Sequence, residues 1–216
     1  MAVSRAFQGY YAILDVKGTS VDLPVFLRHA DRLLAAAPCC LQLRGKSLGL
    51  GTLCELGHAL RKLCTKRQIP LCLNDRLDVA LAVGADIIHL GQRDLPLAEA
   101  MRLRDRLGLR GLAIGISASD LAHAKAAAAA GADYVGLGPI FATQTKADAD
   151  PAVGLAVLRE VARAVQVPVV AIGGITLENV DSVAQAGASA AAAIAAVDLA
   201  EDPAVAGKRI ARAFAL

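Results

Sequence analysis

The sequence predicts a single-domain (β/α)8 barrel, a TIM barrel, over residues 1–216. Short apolar runs of strand type alternate eight times with longer runs of helix type, within a length that suits one α/β barrel. The turn sequence Gly-Ala precedes three of the strands, at Gly84, Gly131 and Gly187, which indicates a repeated unit. An open doubly wound sheet needs a glycine-rich fingerprint after its first strand, and residues 15–18 offer none.

The predicted strands are mostly short, apolar and bounded by Gly, Pro, Asp or Asn. Such runs are typical of parallel strands, because helices cover both faces of a parallel sheet. The strands are predicted at Tyr11–Leu14, Cys40–Leu43, Leu71–Leu73, Ile87–Leu90, Ala113–Ile116, Tyr134–Leu137, Val169–Ile172 and Ala190–Ile194. The last is nearly all alanine, a residue that prefers helices, so its strand propensity is the weakest.

Amphipathic stretches of helical length lie between the strands. Several begin with proline, which suits a first helical turn, and four are followed by glycine, which suits a helix end. The helices are predicted at Pro24–Ala36, Leu48–Thr65, Arg76–Val83, Pro96–Leu107, Leu121–Ala130, Leu155–Ala164, Glu178–Ala186 and Pro203–Phe214. The polar segment Gln144–Pro151 is the one long loop, and loops of this kind often act as lids.

The composition argues against several classes of protein. Hydrophobic residues make up 56% of the chain, which is enough for a large core. The longest apolar run, Ala190–Val197, is far shorter than the ~20 residues of a transmembrane helix. A net charge of +3, with four Phe, three Tyr and no Trp, argues against a nucleic-acid binder.

The cysteines and the N-terminus predict a cytoplasmic protein. An odd number of cysteines without a C-x-x-C pair indicates reduced thiols rather than a disulfide framework. The cysteines are Cys39, Cys40, Cys54, Cys64 and Cys72. Residues 1–6 lack the apolar stretch of a secretion signal.

Polar side chains gather where the predicted strands end, which is the face that carries the active site in TIM barrels. They include Asp15, Gln42, Arg44, Lys46, Asn74, Asp75, Asp94, Ser117, Thr143, Gln144, Thr145 and Lys146. Strand parity places Gln42 and Arg44 on one face and Leu41 and Leu43 on the other. Because leucine suits the side that packs on helices, we expect Gln42 and Arg44 to point into the barrel mouth.

Asp75 and Asp94 are the candidate metal ligands. They follow neighbouring strands, so their carboxylates can reach a common point, and Mg²⁺ prefers a few carboxylates together with substrate phosphate oxygens and water. Each aspartate also precedes a predicted helix and could instead act as its N-cap. The four histidines lack metal-binding spacing and are expected at helix or core positions: His29, His58, His89 and His123.

Two further groups of residues suit phosphate. Arg44, Lys46 and Lys146 would place three cations on one rim, which fits a diphosphate, although Lys146 could equally be a solvated loop charge. Gly173-Gly174 and Ile194-Ala195 follow the last two strands, where the backbone N–H groups of TIM barrels bind phosphate. The glycines also suit a tight turn. No nucleophile motif accompanies these groups.

These segments together resemble the thiamine phosphate synthase family. The resemblance rests on Gln42–Lys46 (QLRGK), Leu73–Asp78 (LNDRLD), Ala82–Pro96 (AVGADIIHLGQRDLP), Ile114–Ser117, Gly131–Lys146 (GADYVGLGPIFATQTK), Pro151–Leu155 and Val169–Asn179 (VVAIGGITLEN). It covers most of the chain from the second strand onward. The family has a TIM barrel and joins 4-amino-2-methyl-5-(diphosphooxymethyl)pyrimidine to a thiazole phosphate, with release of diphosphate.

The resemblance implies a Mg²⁺-dependent transferase with two small-molecule substrates and a role for each candidate residue. Gln42 and Asn74 would bind the aminopyrimidine, and Asp75 and Asp94 would bind Mg²⁺. The diphosphate would be held by Arg44, Lys46, Ser117 and Lys146, of which Arg44, Lys46 and Lys146 would be catalytic. The thiazole phosphate would be held by Thr143, Gln144, Thr145, Gly174, Ile194 and Ala195. A homo-oligomer is compatible with the sequence, and neither a nucleic acid nor a membrane is an expected partner.

Two positions depart from the family pattern. Ala195 stands where the family commonly has Ser, a change worth ~1 kcal/mol of phosphate binding. Ser119 stands two residues after Ser117, where a His is frequent. Two alternative functions stay open: a thiazole tautomerase-like paralogue, which shares the barrel but would not join the two rings, and a non-catalytic binder of thiamine intermediates, which Ala195 could favour.

Overall fold

The computed structural model describes residues 7–143 and 151–215. Each of its eight parallel strands pairs with the next along the chain, and the last pairs with the first, which closes the sheet. The strands are β1 (Gly9–Asp15), β2 (Cys40–Arg44), β3 (Leu71–Asn74), β4 (Ile87–Leu90), β5 (Ala113–Ala118), β6 (Tyr134–Leu137), β7 (Val169–Ile172) and β8 (Ala190–Ala192). The predicted TIM barrel is confirmed.

The helices alternate with the strands as predicted, with one addition. Those in the described ranges are α1 (Leu23–Leu34), α2 (Leu50–Arg67), α3 (Leu77–Val83), α4 (Leu97–Arg106), α5 (Leu121–Ala129), α6 (Gly154–Ala164), α7 (Val180–Gln185), α8 (Ala195–Asp198) and α9 (Pro203–Arg212). The expected strand Ala190–Ile194 is wrong at its end, because the chain leaves the sheet at Ala192 and enters the short helix α8. Alanine favours this helical turn.

Side chains alternate between two hydrophobic layers. Leu41 and Leu43 of β2 are fully buried in the outer layer, between the sheet and the helices. Cys40 of the same strand belongs to the inner layer, inside the barrel, and Gln42 is buried there as well, with 3% exposed. The predicted parity of β2 is therefore confirmed, and it turns Gln42 and Arg44 inward.

The described residues include all five cysteines and all the helices named above. All five cysteines are free thiols, as predicted. Among the helices described, none combines the length and the apolar character that crossing a bilayer requires. The prediction of one domain over residues 1–216 includes parts outside the described ranges and stays a prediction.

Candidate active site

One cavity of about 1300 Å³ opens at the carboxyl end of the barrel. Every candidate residue in the described ranges lines it: Gln42, Arg44, Lys46, Asn74, Asp75, Asp94, Ser117, Thr143, Gly174, Ile194 and Ala195. Gln144, Thr145 and Lys146, with most of the possible lid, lie outside the described residues. The closed sheet thus brings loops from both ends of the chain around one space.

Asp75 and Asp94 meet at the mouth of the cavity. Their side chains share a hydrogen bond, and Asp94 Oδ2 also accepts one from the backbone N–H of Gly91 at 2.8 Å. The N-cap interpretation is wrong for both aspartates. Arg76 and Pro96 occupy the N-cap positions of α3 and α4, and neither caps with its side chain. Asp75 takes a left-handed backbone conformation with φ 64°, so β3 turns sharply just before α3.

Burial and the neighbouring carboxyl group shift the pKa of Asp75. Burial and the neighbouring Asp94 raise the pKa of Asp75 from 3.8 to about 6, against the opposing charges of Lys46 and Arg44. Lys46 Nζ lies 4.0 Å from Asp75 Oδ2. Two neighbouring carboxylates repel each other, and a bound cation would relieve that repulsion.

The chemistry of this pair of acids is compatible with a magnesium ligand role. Both groups are hard oxygen ligands, and Mg²⁺ is commonly bound by one or two carboxylates, with phosphate oxygens and water completing its shell. Within residues 7–143 and 151–215, no group of three or more His, Cys, Asp or Glu side chains is placed to hold a metal. If Asp75 and Asp94 held Mg²⁺, other ligands such as water or phosphate oxygens would have to complete its shell.

We expect the Asp75→Asn variant to be more stable than the wild type in metal-free protein at pH 8, because it removes a carboxylate that is partly buried beside Asp94. The carboxylate keeps some contact with water, so the expected gain in the free energy of unfolding is only about 1–2 kcal/mol. The folded-state pKa of about 6 exceeds the unfolded value near 3.8, so wild-type stability falls as pH rises through that window. The gain should therefore vanish near pH 4. Urea unfolding in EDTA at both pH values measures it, and an equal gain at pH 4 and pH 8 would contradict this electrostatic origin.

Arg44 is held by Asp15, a residue for which the sequence predicts no role. Asp15 ends β1 directly opposite Arg44 in the strand register, and Arg44 Nη1 donates to Asp15 Oδ1 at 2.5 Å. Only 4% of the Asp15 side chain and 14% of the Arg44 side chain are exposed. The ion pair fixes one edge of the Arg44 guanidinium, and the guanidinium itself borders the cavity. Strand parity could have identified Asp15, because it faces inward like Arg44.

Three more residues in the cavity wall were missed as functional candidates. Tyr11 and Tyr134 face the barrel interior from β1 and β6, and His89 faces it from β4. The expected helix position holds for His29, His58 and His123, whereas His89 lies in a strand and borders the cavity. The alternation of side chains along β4 could have identified His89 as an inward-facing residue, since it lies between the outward-facing Ile88 and Leu90.

The loops after β6 and β7 pack tightly at the opposite side of the cavity. Gly173 and Gly174 have φ angles of 96° and 64°, and a Cβ atom at Gly174 would lie 2.6 Å from the carbonyl oxygen of Ala142. Both interpretations of these glycines hold, because they form a tight turn and also border the cavity. Their backbone is accessible there to an anion, as in the phosphate sites of other TIM barrels.

A carboxylate pair, fixed cations and a glycine turn on one face of a TIM barrel define an enzyme that acts on phosphorylated substrates. The particular family follows from sequence comparison: the chain belongs to the thiamine monophosphate synthase family, whose model matches residues 11–197.

Curated relatives and solved structures agree with this family. The chain is 42% identical to the thiamine-phosphate synthase of Methanospirillum hungatei over 86% of this chain and 88% of the relative. It is 49% identical to that of Anaeromyxobacter dehalogenans, over 81% of this chain and 76% of the relative. Thiamine phosphate pyrophosphorylase from Pyrococcus furiosus superposes with a TM-score of 0.82 at 30% identity, covering 98% of both chains. A 3-hexulose-6-phosphate synthase, at 18% identity and a TM-score of 0.71, shares the fold.

Proposed function

We propose that this chain is a thiamine-phosphate synthase that condenses 4-amino-2-methyl-5-(diphosphooxymethyl)pyrimidine with a thiazole phosphate to give thiamine phosphate and diphosphate. Where the thiazole is carboxylated, its carboxylate leaves as CO2. The observation that carries the proposal is the meeting of Asp75, Asp94, Arg44 and Lys46 around one cavity of the size of two small substrates. Family membership supports the same reaction.

The groups around Asp75 and Asp94 would have to stabilise the negative charge of the departing diphosphate. Mg²⁺ held by Asp75 and Asp94 would neutralise part of the charge that develops on the bridging oxygen. Arg44, fixed by Asp15, presents a guanidinium whose fork geometry suits phosphate oxygens, and Lys46 adds a mobile point charge beside it. Because Arg44 is already held in place, its guanidinium needs no reorganisation as charge develops.

The pyrimidine end of the substrate needs recognition rather than a nucleophile. Gln42 donates its amide N–H to the Tyr11 hydroxyl at 2.9 Å, which leaves its carbonyl oxygen to accept from the exocyclic amine of an aminopyrimidine. Asn74 lines the same wall. The C–O bond to diphosphate breaks, the aminopyrimidine ring spreads the positive charge of the methylene carbon, and the thiazole nitrogen supplies the electron pair for the new C–N bond.

Neither alternative function is favoured. A thiazole tautomerase-like paralogue would not need the carboxylate pair together with Arg44 and Lys46, and this chain keeps all of them around the cavity. A non-catalytic binder was suggested only by Ala195, whose backbone still borders the cavity. The substrates are small molecules, and we place the reaction in the cytoplasm, where five free thiols persist.

The proposal is tested by an assay with both substrates, with and without Mg²⁺. Thiamine phosphate and diphosphate should form in equal amounts, and only when the metal is present. Tautomerisation of the thiazole without coupling would support the paralogue, and binding of both substrates without turnover would support the binder. Diphosphate formation at the full rate in EDTA would contradict the role of the metal.

Replacing Lys46 by alanine should lower kcat more than it weakens pyrimidine binding. Lys46 is half exposed and lies beside Asp75, so its charge acts on the leaving diphosphate rather than on the ring. We expect a fall in kcat of about 10²-fold with a KM change under about threefold. Steady-state kinetics with the pyrimidine diphosphate varied would measure both. Lys62→Ala, on the outer helix α2, serves as the control for loss of one positive charge. A rise in KM alone would assign Lys46 to ground-state binding.

A further inference from the structure

We propose that Tyr11, Tyr134 and His89 are positioning residues that set the direction of hydrogen bonding at both ends of the pyrimidine diphosphate. This inference rests on the proposed function, since it concerns how that substrate is held. The three side chains join Gln42 to Ser117 through the interior of the barrel, and we call the five residues the inner relay.

The inner relay is an unbroken chain of hydrogen bonds in the wall of the cavity. It runs from Gln42 Nε2 to the Tyr11 hydroxyl (2.9 Å), to the Tyr134 hydroxyl (2.9 Å), to His89 Nδ1 (2.8 Å), and from His89 Nε2 to Ser117 Oγ (2.9 Å). Its members come from five different strands. The two ends are the residues expected to recognise the aminopyrimidine and the diphosphate.

The donors and acceptors of the inner relay have one favoured direction. Gln42 Nε2 can only donate, so the Tyr11 oxygen accepts and its single hydrogen is available to Tyr134. Tyr134 then gives its own hydrogen to His89 Nδ1. His89 therefore carries its proton on Nε2, which donates to Ser117 Oγ. The hydrogen of the Ser117 hydroxyl is thereby left for an acceptor in the cavity, and diphosphate offers only acceptors.

Cys72 Sγ is a competing acceptor for the hydrogens of both tyrosines. Tyr11 also lies within hydrogen-bonding distance of Cys72 Sγ, at 3.3 Å. Sulfur is a weak acceptor, and the oxygen of Tyr134 is closer, so donation to Tyr134 is favoured. Burial raises the pKa of both tyrosines well above the usual value, which keeps each as a neutral hydroxyl with one hydrogen to give.

The barrel is built around this arrangement. A Cβ atom at Gly115 would lie 2.1 Å from the Tyr134 ring, and one at Gly136 would lie 2.9 Å from His89 Cε1. Glycine in β5 and β6 therefore leaves the space that the rings of Tyr134 and His89 occupy. Phe7 stacks on Tyr134 with ring centroids 4.1 Å apart. The rings therefore hold their places through packing, and removal of a single hydroxyl should leave the packing intact.

The histidine tautomer is the direct test, and it needs no substrate. In ¹⁵N-labelled protein, His89 should show a protonated Nε2 and an unprotonated Nδ1, assigned by comparison with the His89→Gln variant. Tyr134→Phe should convert this single tautomer into a mixture. A His89 with its proton on Nδ1 in the wild type would overturn the proposed direction.

The kinetic test separates the two ends of the inner relay. Tyr134→Phe should lower kcat about five- to tenfold with little change in KM, because Ser117 can then turn its hydrogen towards His89. Tyr11→Phe should instead raise KM for the pyrimidine diphosphate about fivefold, because the Gln42 amide loses its oxygen acceptor and keeps only the longer contact to Cys72 Sγ at 3.7 Å. Tyr10→Phe is the matched control, since Tyr10 is the neighbouring buried tyrosine of β1 but faces the outer layer. Equal effects of all three variants would indicate a merely structural role and overturn the proposal.

A double variant tests whether Tyr134 acts through Ser117. If it does, Ser117→Ala/Tyr134→Phe should have the same kcat as Ser117→Ala, whereas independent effects would multiply and overturn the proposal. The outcomes remain distinct from those for the function itself. Wild-type protein that forms no thiamine phosphate would overturn the proposed function and the kinetic roles, while the tautomer would still decide whether the directed chain exists.

Discussion

The Asp94→Ala variant should lose about 10²–10³-fold in kcat while the barrel stays folded. Asp94 supplies one of the two carboxylates at the mouth of the cavity, and its side chain contacts the other, Asp75. A single remaining carboxylate is a poor site for Mg²⁺, so charge on the departing diphosphate would lose its principal counter-charge.

Loss of activity in Asp94→Ala should come with only a small change in stability. The variant loses the bond from the Gly91 N–H at 2.8 Å, and it also removes the repulsion from Asp75. The two effects oppose each other, so we expect a net change within about 1 kcal/mol, measured by urea unfolding in EDTA.

Two further variants separate the metal role from the turn. Asp94→Asn keeps an oxygen that can accept from Gly91 but removes the charge, so it should be nearly as inactive as the alanine variant. Asp105→Ala removes an exposed aspartate near the end of α4 and should leave kcat unchanged. Near-normal activity of Asp94→Ala at low Mg²⁺ concentration would remove Asp94 from the metal site.

The Arg44→Ala variant should lose about 3–5 kcal/mol of stability as well as its activity. Its removal leaves Asp15, 4% exposed, as a buried carboxylate without its counter-charge. The same change removes the fixed guanidinium from the diphosphate side of the cavity. Urea unfolding at pH 7 and steady-state kinetics measure the two losses separately.

A second substitution should rescue the stability of Arg44→Ala but not its turnover. Asp15→Asn removes the unpaired charge, so the double variant should regain much of the lost stability while kcat stays low. Arg67→Ala is the control for an exposed pair. Its partner Asp31 lies 2.6 Å away, and the side chains are 39% and 51% exposed, so the loss should be under about 1 kcal/mol. Equal losses in the two arginine variants would contradict the role of burial.

Much of the barrel was predictable because its signals are local. Seven of the eight strands have the predicted core, and β4, β6 and β7 have the predicted bounds. The alternation of Leu41, Gln42, Leu43 and Arg44 predicted which side chains face inward. The sequence was misleading where two local signals competed, as at Ala190–Ile194, where alanine allowed the chain to leave the sheet early for α8.

The two aspartates illustrate a different difficulty. An aspartate just before a helix fits both an N-cap and a ligand role, and the residues alone left the choice open for Asp75 and Asp94. The structure excludes capping because the backbone turns at Asp75 before α3 begins, and Pro96 separates Asp94 from α4. Turn geometry of this kind depends on how β3 and β4 pair with their neighbours.

Local signals in the chain were enough to establish the fold class, the family, and the set of side chains at the carboxyl ends of the strands. These follow from hydrophobic periodicity and short motifs, which are properties of neighbouring residues. Closure of the barrel pairs Asp15 with Arg44, brings Asp75 beside Asp94, and lets Tyr11 touch Tyr134, 123 positions away. Such contacts form only when the sheet closes, because closure brings distant strands together around an interior where a polar group must find its partner.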